Sequence, residues 1–168
     1  RGMVTAPMHT LIEYGLRQRF PYLVEYYQPH DTMGITYLAI RKTAPGQGLA
    51  IGKAVVGFDP IAKITVVLDD DVNLLNQQDV LRAIVSRWQP HPATYIVEES
   101  RGIIIDPSQR EKRKTSKIAI DATRQWPEEG GPEKFAGNSR DLLNELQPDA
   151  IPEATALYAA LLEQWQKV

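Results

Sequence analysis

Three consecutive carboxylates, Asp69-Asp70-Asp71, are the residues whose type and clustering first suggest chemistry. Mg²⁺ and Mn²⁺ favour clustered oxygen ligands, and ligands gather at strand ends in open α/β sheets. The triplet follows Ile64-Thr65-Val66-Val67-Leu68, a β-branched run suited to a strand covered on both faces. Consecutive carboxylates point in different directions, however, and Asp is a common turn and helix-cap residue. The expectation is a turn that closes a buried strand and anchors the following helix, with no bound metal. His9, His30 and His91 lie in no metal-binding spacing. The basic run Arg110, Glu111, Lys112, Arg113, Lys114 and Lys117 could bind phosphate, but it lacks interleaved aromatics and reads as a solvated loop. Gly46, Gly48 and Gly52 match neither a phosphate-binding loop nor a dinucleotide fingerprint. No nucleophile motif of the Ser/His/Asp kind is present. In the stretch Asp121 to Pro127, Trp126 and Pro127 either clamp a neighbouring chain or close the core.

The elements that must position these residues follow from periodicity. Met8 to Phe20 has helical spacing at Leu11, Ile12, Gly15 and Leu16, and Pro21 ends it. Strands are expected at Leu23–Tyr27, Ile35–Lys42, Ile64–Leu68, Tyr95–Val97 and Lys117–Ile120. Gln47–Phe58 is bracketed by Pro45 and by Asp59-Pro60, which predicts a helix despite Gly48, Gly52 and Gly57. Gln77–Trp88 is expected to be a helix burying Val80, Leu81, Ile84, Val85 and Trp88 on one face. Ile103–Ile105 is a short apolar segment read as extended, and Trp126–Gly137 as irregular but packed. Helices are also expected at Arg140–Leu146 and Pro152–Lys167. The latter carries the stripe Ala156, Leu157, Ala160, Leu161 and Trp165, and a break at 147–150 leaves it able to reach a partner.

The expected class is α/β: a layered α/β/α domain with a mixed sheet, flanked by an N-terminal linker helix and a C-terminal amphipathic helix. Residues 1–32 are assigned to the linker helix and connecting strand, 33–150 to the α/β domain and 151–168 to the terminal helix. The 168 residues are 43% apolar and 24% charged, enough for a sizeable core. Nineteen basic and 21 acidic residues give a net charge of −2, which argues against a broad nucleic-acid or anionic-membrane footprint. The absence of Cys excludes disulfides and thiolate sites. No apolar run has the roughly 20 residues of a membrane span, and a basic residue ahead of Met3 is an odd beginning for a natural protein. A cytoplasmic piece of something larger is the expectation.

Several stretches in order resemble one family: Phe20-Pro21-Tyr22-Leu23-Val24-Glu25-Tyr26-Tyr27-Gln28-Pro29, a strand ending Arg41-Lys42, a Gly/Ala-rich helix, Ile64 to Asn73, Asp79-Val80-Leu81, Ser86-Arg87, and Ser116 to Pro127. From Pro7 to Pro127 the sequence is similar to the C-terminal portion of the UbiD-type decarboxylases. The resemblance implies a lid and assembly domain of an enzyme that uses prenylated FMN and a divalent metal (Mn or Mg) to remove or add CO₂ on aromatic or α,β-unsaturated acids. It implies homo-oligomers, and an upstream flavin-binding domain of the same chain carrying the Glu-Arg-Glu catalytic set, the metal ligands and the proton donor. No catalytic residue is then expected here. Relatives place a basic residue near the flavin phosphate where this sequence has Gly57, so Lys53 or Lys63 is the candidate replacement. The apolar stretch after Arg101-Gly102 lines the substrate pocket in relatives. Alternation along an extended segment would aim Ile103 and Ile105 the same way, as candidate substrate contacts, with core packing the alternative. The competing reading of the whole is a free-standing binding or scaffold subunit that reuses the fold.

Overall fold

The computed structural model describes residues 2–29, 31–135 and 147–165. The chain divides into two compact units, Arg1–Glu133 and Lys134–Val168. The first contains the sheet together with the N-terminal helix and strand that the sequence reading sets apart at residue 32. The second contains one described helix, α4 (Ala150–Trp165). On α4, Ala156 and Leu157 of the expected stripe are exposed. The side chains of Ala160, Leu161 and Trp165, like His30 and the expected helix at Arg140–Leu146, lie outside the described residues.

The elements of the first unit are α1 (Gly2–Arg19), β1 (Leu23–Tyr27), β2 (Ile35–Ile40), α2 (Gln47–Phe58), β3 (Ile64–Asp69), α3 (Gln77–Arg87), β4 (Thr94–Arg101) and β5 (Lys114–Asp121). The sheet runs β1-β2-β3-β5-β4. β2, β3 and β5 are parallel, and the edge strands β1 and β4 are antiparallel to their neighbours. On one face, Ile12 and Leu16 of α1 and Ile51 and Val55 of α2 pack with Leu38, Ile40 and Val67. On the other, Val80 and Ala83 of α3 pack with Ala39, Val66 and Leu68. β3 alternates its side chains into both cores, which is why it reads as an unbroken apolar run.

α2 occupies the expected residues, and its glycines permit close packing. A Cβ on Gly52 would lie 3.0 Å from the Ala119 methyl of β5, and one on Gly48 would collide with the Asp121 carboxylate. Lys117 is part of the same seam. It is buried, and its Nζ donates to the carbonyls of Val56 (3.2 Å) and Asp59 (2.6 Å) where α2 ends. The tail of the basic run is therefore an internal tie. Burial holds the Lys117 amine below its ordinary pKa, opposed by the charge of Asp59.

Three expectations are corrected. α1 begins at Gly2, six residues before the expected start, and continues through Pro7. Pro7 lies in the second turn, where a proline removes one main-chain hydrogen bond and crowds the carbonyl four residues before it. On α3, Leu81 and Val85 are exposed, Val85 by 84%. The inward stripe is Val80, Ala83, Ile84 and Arg87, rotated so that Arg87 reaches the acidic turn. Ile103–Ile105 is a turn and not extended, closed by the Asp106 N–H donating to the Ile103 carbonyl (3.2 Å). β4 and β5 instead lengthen toward each other as a hairpin, with an irregularity between Val97 and Ser100.

Candidate functional site

At the carboxyl ends of the parallel strands the three aspartates are bound by arginines. Asp69 accepts from Arg87 Nη1 (2.7 Å) and from the Arg124 N–H (2.9 Å). Asp71 accepts two bonds from Arg87 (2.8 and 3.0 Å) and one from Arg124 Nη2 (2.6 Å). Asp70 pairs with Arg41 at 2.8 Å. Burial pushes the Asp71 carboxyl up, but the hydrogen bonds and charges of Arg87 and Arg124 outweigh it and hold it below the ordinary range. Carboxylates committed to guanidinium groups in three directions make a structural turn, and Val72 N–H donating to the Asp69 carbonyl completes it.

Beside it, the Lys42 side chain is buried and donates to Glu129, Thr123 Oγ1 (3.1 Å) and the Arg124 carbonyl (2.9 Å), with its ammonium 5.6 Å from the Trp126 ring centroid. Glu129 also accepts from the N–H groups of Gly46 (2.6 Å) and Trp126 (2.7 Å). Trp126 and Pro127 thus belong to a strap fastened over the β2–α2 turn, with Trp126 half-buried and Pro127 exposed.

The opposite end of the sheet carries a different arrangement. Lys63 immediately precedes β3. Its N–H donates to the Gly34 carbonyl (2.8 Å) and its own carbonyl accepts from Ile118 N–H (2.9 Å), so its backbone is fixed between neighbours. Its Nζ pairs with Asp106 Oδ2 at 3.0 Å and donates to Ser108 Oγ. Asp106 Oδ1 in turn accepts from the Ser108 N–H (3.0 Å) and hydroxyl (2.8 Å). The hydrogen bond from Lys63, followed by those from Ser108, holds the Asp106 carboxyl down to about 2. Gln109 stiffens the loop, donating to the Ile103 carbonyl and accepting from the Arg113 N–H, each at 2.8 Å.

Lys63, Ile103 and Ile105 all line one cavity of about 250 Å³, with Met33 and Ile61 supplying further apolar wall and Asp106 at its polar end. The turn at Ile103 brings the two isoleucines to the same cavity, a role the sequence reading gave to strand alternation. A second cavity, of about 610 Å³, shares Lys63 and is lined by Glu98, Glu99, Ser108, Gln109 and Arg110 among others. Lys53 lines neither cavity. It projects from α2 over the Tyr95 ring, 4.9 Å from its centroid. A side chain at Gly57 would meet open space. Asp106 and Ser108 were not singled out from sequence, although Asp-Pro-Ser is a turn-forming stretch whose Asp readily bonds the backbone two residues on. Among the described residues no three His, Asp or Glu side chains form a metal-binding group, and no helix is long and apolar enough to cross a membrane.

The anhydromevalonate phosphate decarboxylase of Archaeoglobus fulgidus is 37% identical over 91 residues, 54% of this chain and 21% of that protein. A protein of Aeropyrum pernix is 35% identical over 106 residues, 61% of this chain and 22% of that one. The chain therefore spans about a fifth of the length of these relatives. The vanillic acid decarboxylase of Sedimentibacter hydroxybenzoicus in open form shares the fold with a TM-score of 0.68 at 22% identity, over 94% of this chain and 32% of that one. The UbiD-class enzyme HmfF of Pelotomaculum thermopropionicum, solved with FMN, gives 0.66 at 23% identity, over 79% and 30%. Residues 3–122 match the family described as the 3-octaprenyl-4-hydroxybenzoate carboxy-lyase C-terminal domain, and with this mixed five-stranded α/β fold the chain belongs to that UbiD family.

Proposed function

We propose that this chain is the C-terminal domain of a prenylated-FMN-dependent, reversible decarboxylase of aromatic or α,β-unsaturated carboxylic acids. Its own part is to close an apolar wall over the reacting group. The observation that carries the reading is the cavity in which Ile103 and Ile105 face Met33 and Ile61 beside the fixed cation of Lys63. An apolar wall of this kind excludes water from a charged reacting group and strengthens electrostatic contacts inside the closed site. Lys63 suits one oxyanion contact, such as the flavin phosphate, and is the better placed of the two lysine candidates because Lys53 lies over Tyr95. Prenylated FMN, when bound, supplies a sink for the electron pair released with CO₂. The family resemblance assigns the flavin ring, the divalent metal and the proton donor to an upstream domain, and in this chain the acidic turn at Asp69–Asp71 is engaged by arginines. Homo-oligomerisation through α4 is part of the proposal, supported by the exposure of Leu157 and Tyr158. The cytoplasm is the proposed compartment.

The test uses the longer polypeptide that this reading requires. Ile103→Asp and Ile105→Asp should each lower kcat/KM by at least about tenfold, equivalent to about 1.4 kcal/mol of transition-state stabilisation. The melting temperature of the 168-residue chain should barely move for Ile105→Asp, because that side chain is exposed. The isolated chain supplied with prenylated FMN should show no turnover. Turnover by the isolated chain, or unchanged kcat/KM in both variants, overturns the proposal.

A further inference from the structure

The two cavities that meet at Lys63 are separated by a short piece of one loop. Asp106 and Pro107 line the apolar cavity and Ser108 and Gln109 the polar one. Lys63 fastens this piece to the sheet through Asp106 and Ser108, and Thr115 of β5 adds a longer bond to Asp106 Oδ2 (3.5 Å). The lysine backbone, just ahead of β3, is held between Gly34 and Ile118, whereas the loop beyond it holds to itself through Asp106, Ser108 and Gln109. The side chain of Lys63 remains 36% exposed and that of Asp106 13%. An incoming anion therefore has access to a cation whose present partner is a carboxylate.

We propose that Asp106 is a positioning residue that competes with the ligand's oxyanion for Lys63, so that binding of the anion unfastens the Ile103–Ser108 segment from β3. A carboxylate on an apolar body and a phosphate monoester share the chemistry required: one or more anionic oxygens for Lys63, and an apolar group for the Ile103 and Ile105 side of the cavity. The proposal rests on the reading of Lys63 as an oxyanion contact. It adds that the affinity of this contact is set below its maximum by an internal anion, because a cation already paired must be freed before it binds another. The segment so released carries Ile104 and Ile105, both exposed, so their placement against a bound molecule becomes dependent on the anion. Asp106 remains ionised through the neutral range, so exchange of partners on Lys63 opens the contact without protonation.

The experiment titrates the 168-residue chain with phenyl phosphate and, in a separate arm, with cinnamate, following backbone amide shifts by NMR. Amides of Lys63 and of residues 103–108 should move in at least one arm. Asp106→Asn should tighten that binding about fivefold, the scale of one partly exposed ion pair that no longer has to be broken. Lys63→Met should abolish it. At saturation the amides of Ile104 and Ile105 should show increased fast motion in ¹⁵N relaxation, a readout that a merely structural carboxylate would not move. If Asp106→Asn does not fold, Ser108→Ala removes the other partner of the ammonium and should tighten binding about twofold. Phenyl phosphate and cinnamate bound equally well by Lys63→Met would overturn both the oxyanion reading and this proposal. Binding lost in Lys63→Met but unchanged or weakened in Asp106→Asn and Ser108→Ala would overturn the competition alone and leave the oxyanion reading standing.

Discussion

Replacing Arg87 by Met should be the most costly single change at the acidic turn. The Arg87 side chain is 8% exposed and makes three N–H bonds, one to Asp69 and two to Asp71. Its removal leaves the buried Asp69 carboxylate with the Arg124 N–H and with Arg124 Nη1 at 3.9 Å. Breaking a buried pair by removing one partner costs about 3–5 kcal/mol, and the amide that stays on Asp69 places the expected loss near the lower bound, about 3 kcal/mol. Asp71→Ala differs because that side chain is 43% exposed and its loss leaves Arg87 paired with Asp69. Solvent screening then limits the effect to about 1 kcal/mol. Urea unfolding at pH 7 followed by far-UV circular dichroism measures both. The pH dependence carries a sign of its own. The Asp71 pKa is lower in the fold than its ordinary 3.8, so its contribution is fully present above that value and is lost as pH falls through the folded pKa. The deficit of Asp71→Ala should therefore shrink below about pH 4. Equal costs for the Arg87 and Asp71 variants at pH 7 would refute the view that Arg87 is the organising charge of the turn.

Two further outcomes test other parts of the fold. Gly48→Ala drives a methyl into the Asp121 carboxylate. Overpacking of this kind costs about 1–3 kcal/mol, read as a lower thermal midpoint, and an unchanged midpoint would mean that α2 sits farther from β5 than described. Burial raises the Asp121 carboxyl above its ordinary 3.8, against the opposing hydrogen bonds of Thr123. With the folded pKa above the unfolded one, stability should rise as pH falls through the folded value. Asp121→Asn should hold its advantage at pH 8 and lose it by about pH 4; a difference in thermal midpoint that does not change with pH contradicts this.

Much of the architecture was legible because local signals agreed with it. Pro45-Gly46 and Asp59-Pro60 mark both ends of α2, and the run at Ile64–Leu68 marks a strand buried on two faces. The errors arose where tertiary contacts outweighed local pattern. Arg87 turned α3 toward Asp69 and Asp71, leaving Leu81 and Val85 in solvent despite their apolar character. Lys117 sits in a run of basic residues, and only its position opposite the end of α2 makes it internal. At the candidate site, Lys63, Ile103 and Ile105 were named through the family resemblance, and the structure places all three on one cavity. The partner of Lys63 was not legible, because Asp106 is 43 positions away and reaches the lysine through a turn that periodicity does not encode.

The strand order has a consequence for how the chain reaches this fold. β5 lies between β3 and β4 in the sheet, although it is the last strand in sequence. Until Lys114–Asp121 leaves the ribosome, β3 has β2 on one side only, and its other edge offers unpaired backbone along the uncharged, largely β-branched stretch Ile64–Leu68. Such an edge is a template for pairing with another chain. The β4–β5 hairpin can form locally, but it closes the sheet only when β5 docks in parallel, a step of higher loop-closure cost. The interval between synthesis of residues 69 and 121 is thus when the nascent chain is most open to association with its neighbours, and a chaperone binding there would shield the same strand that later forms the centre of the sheet.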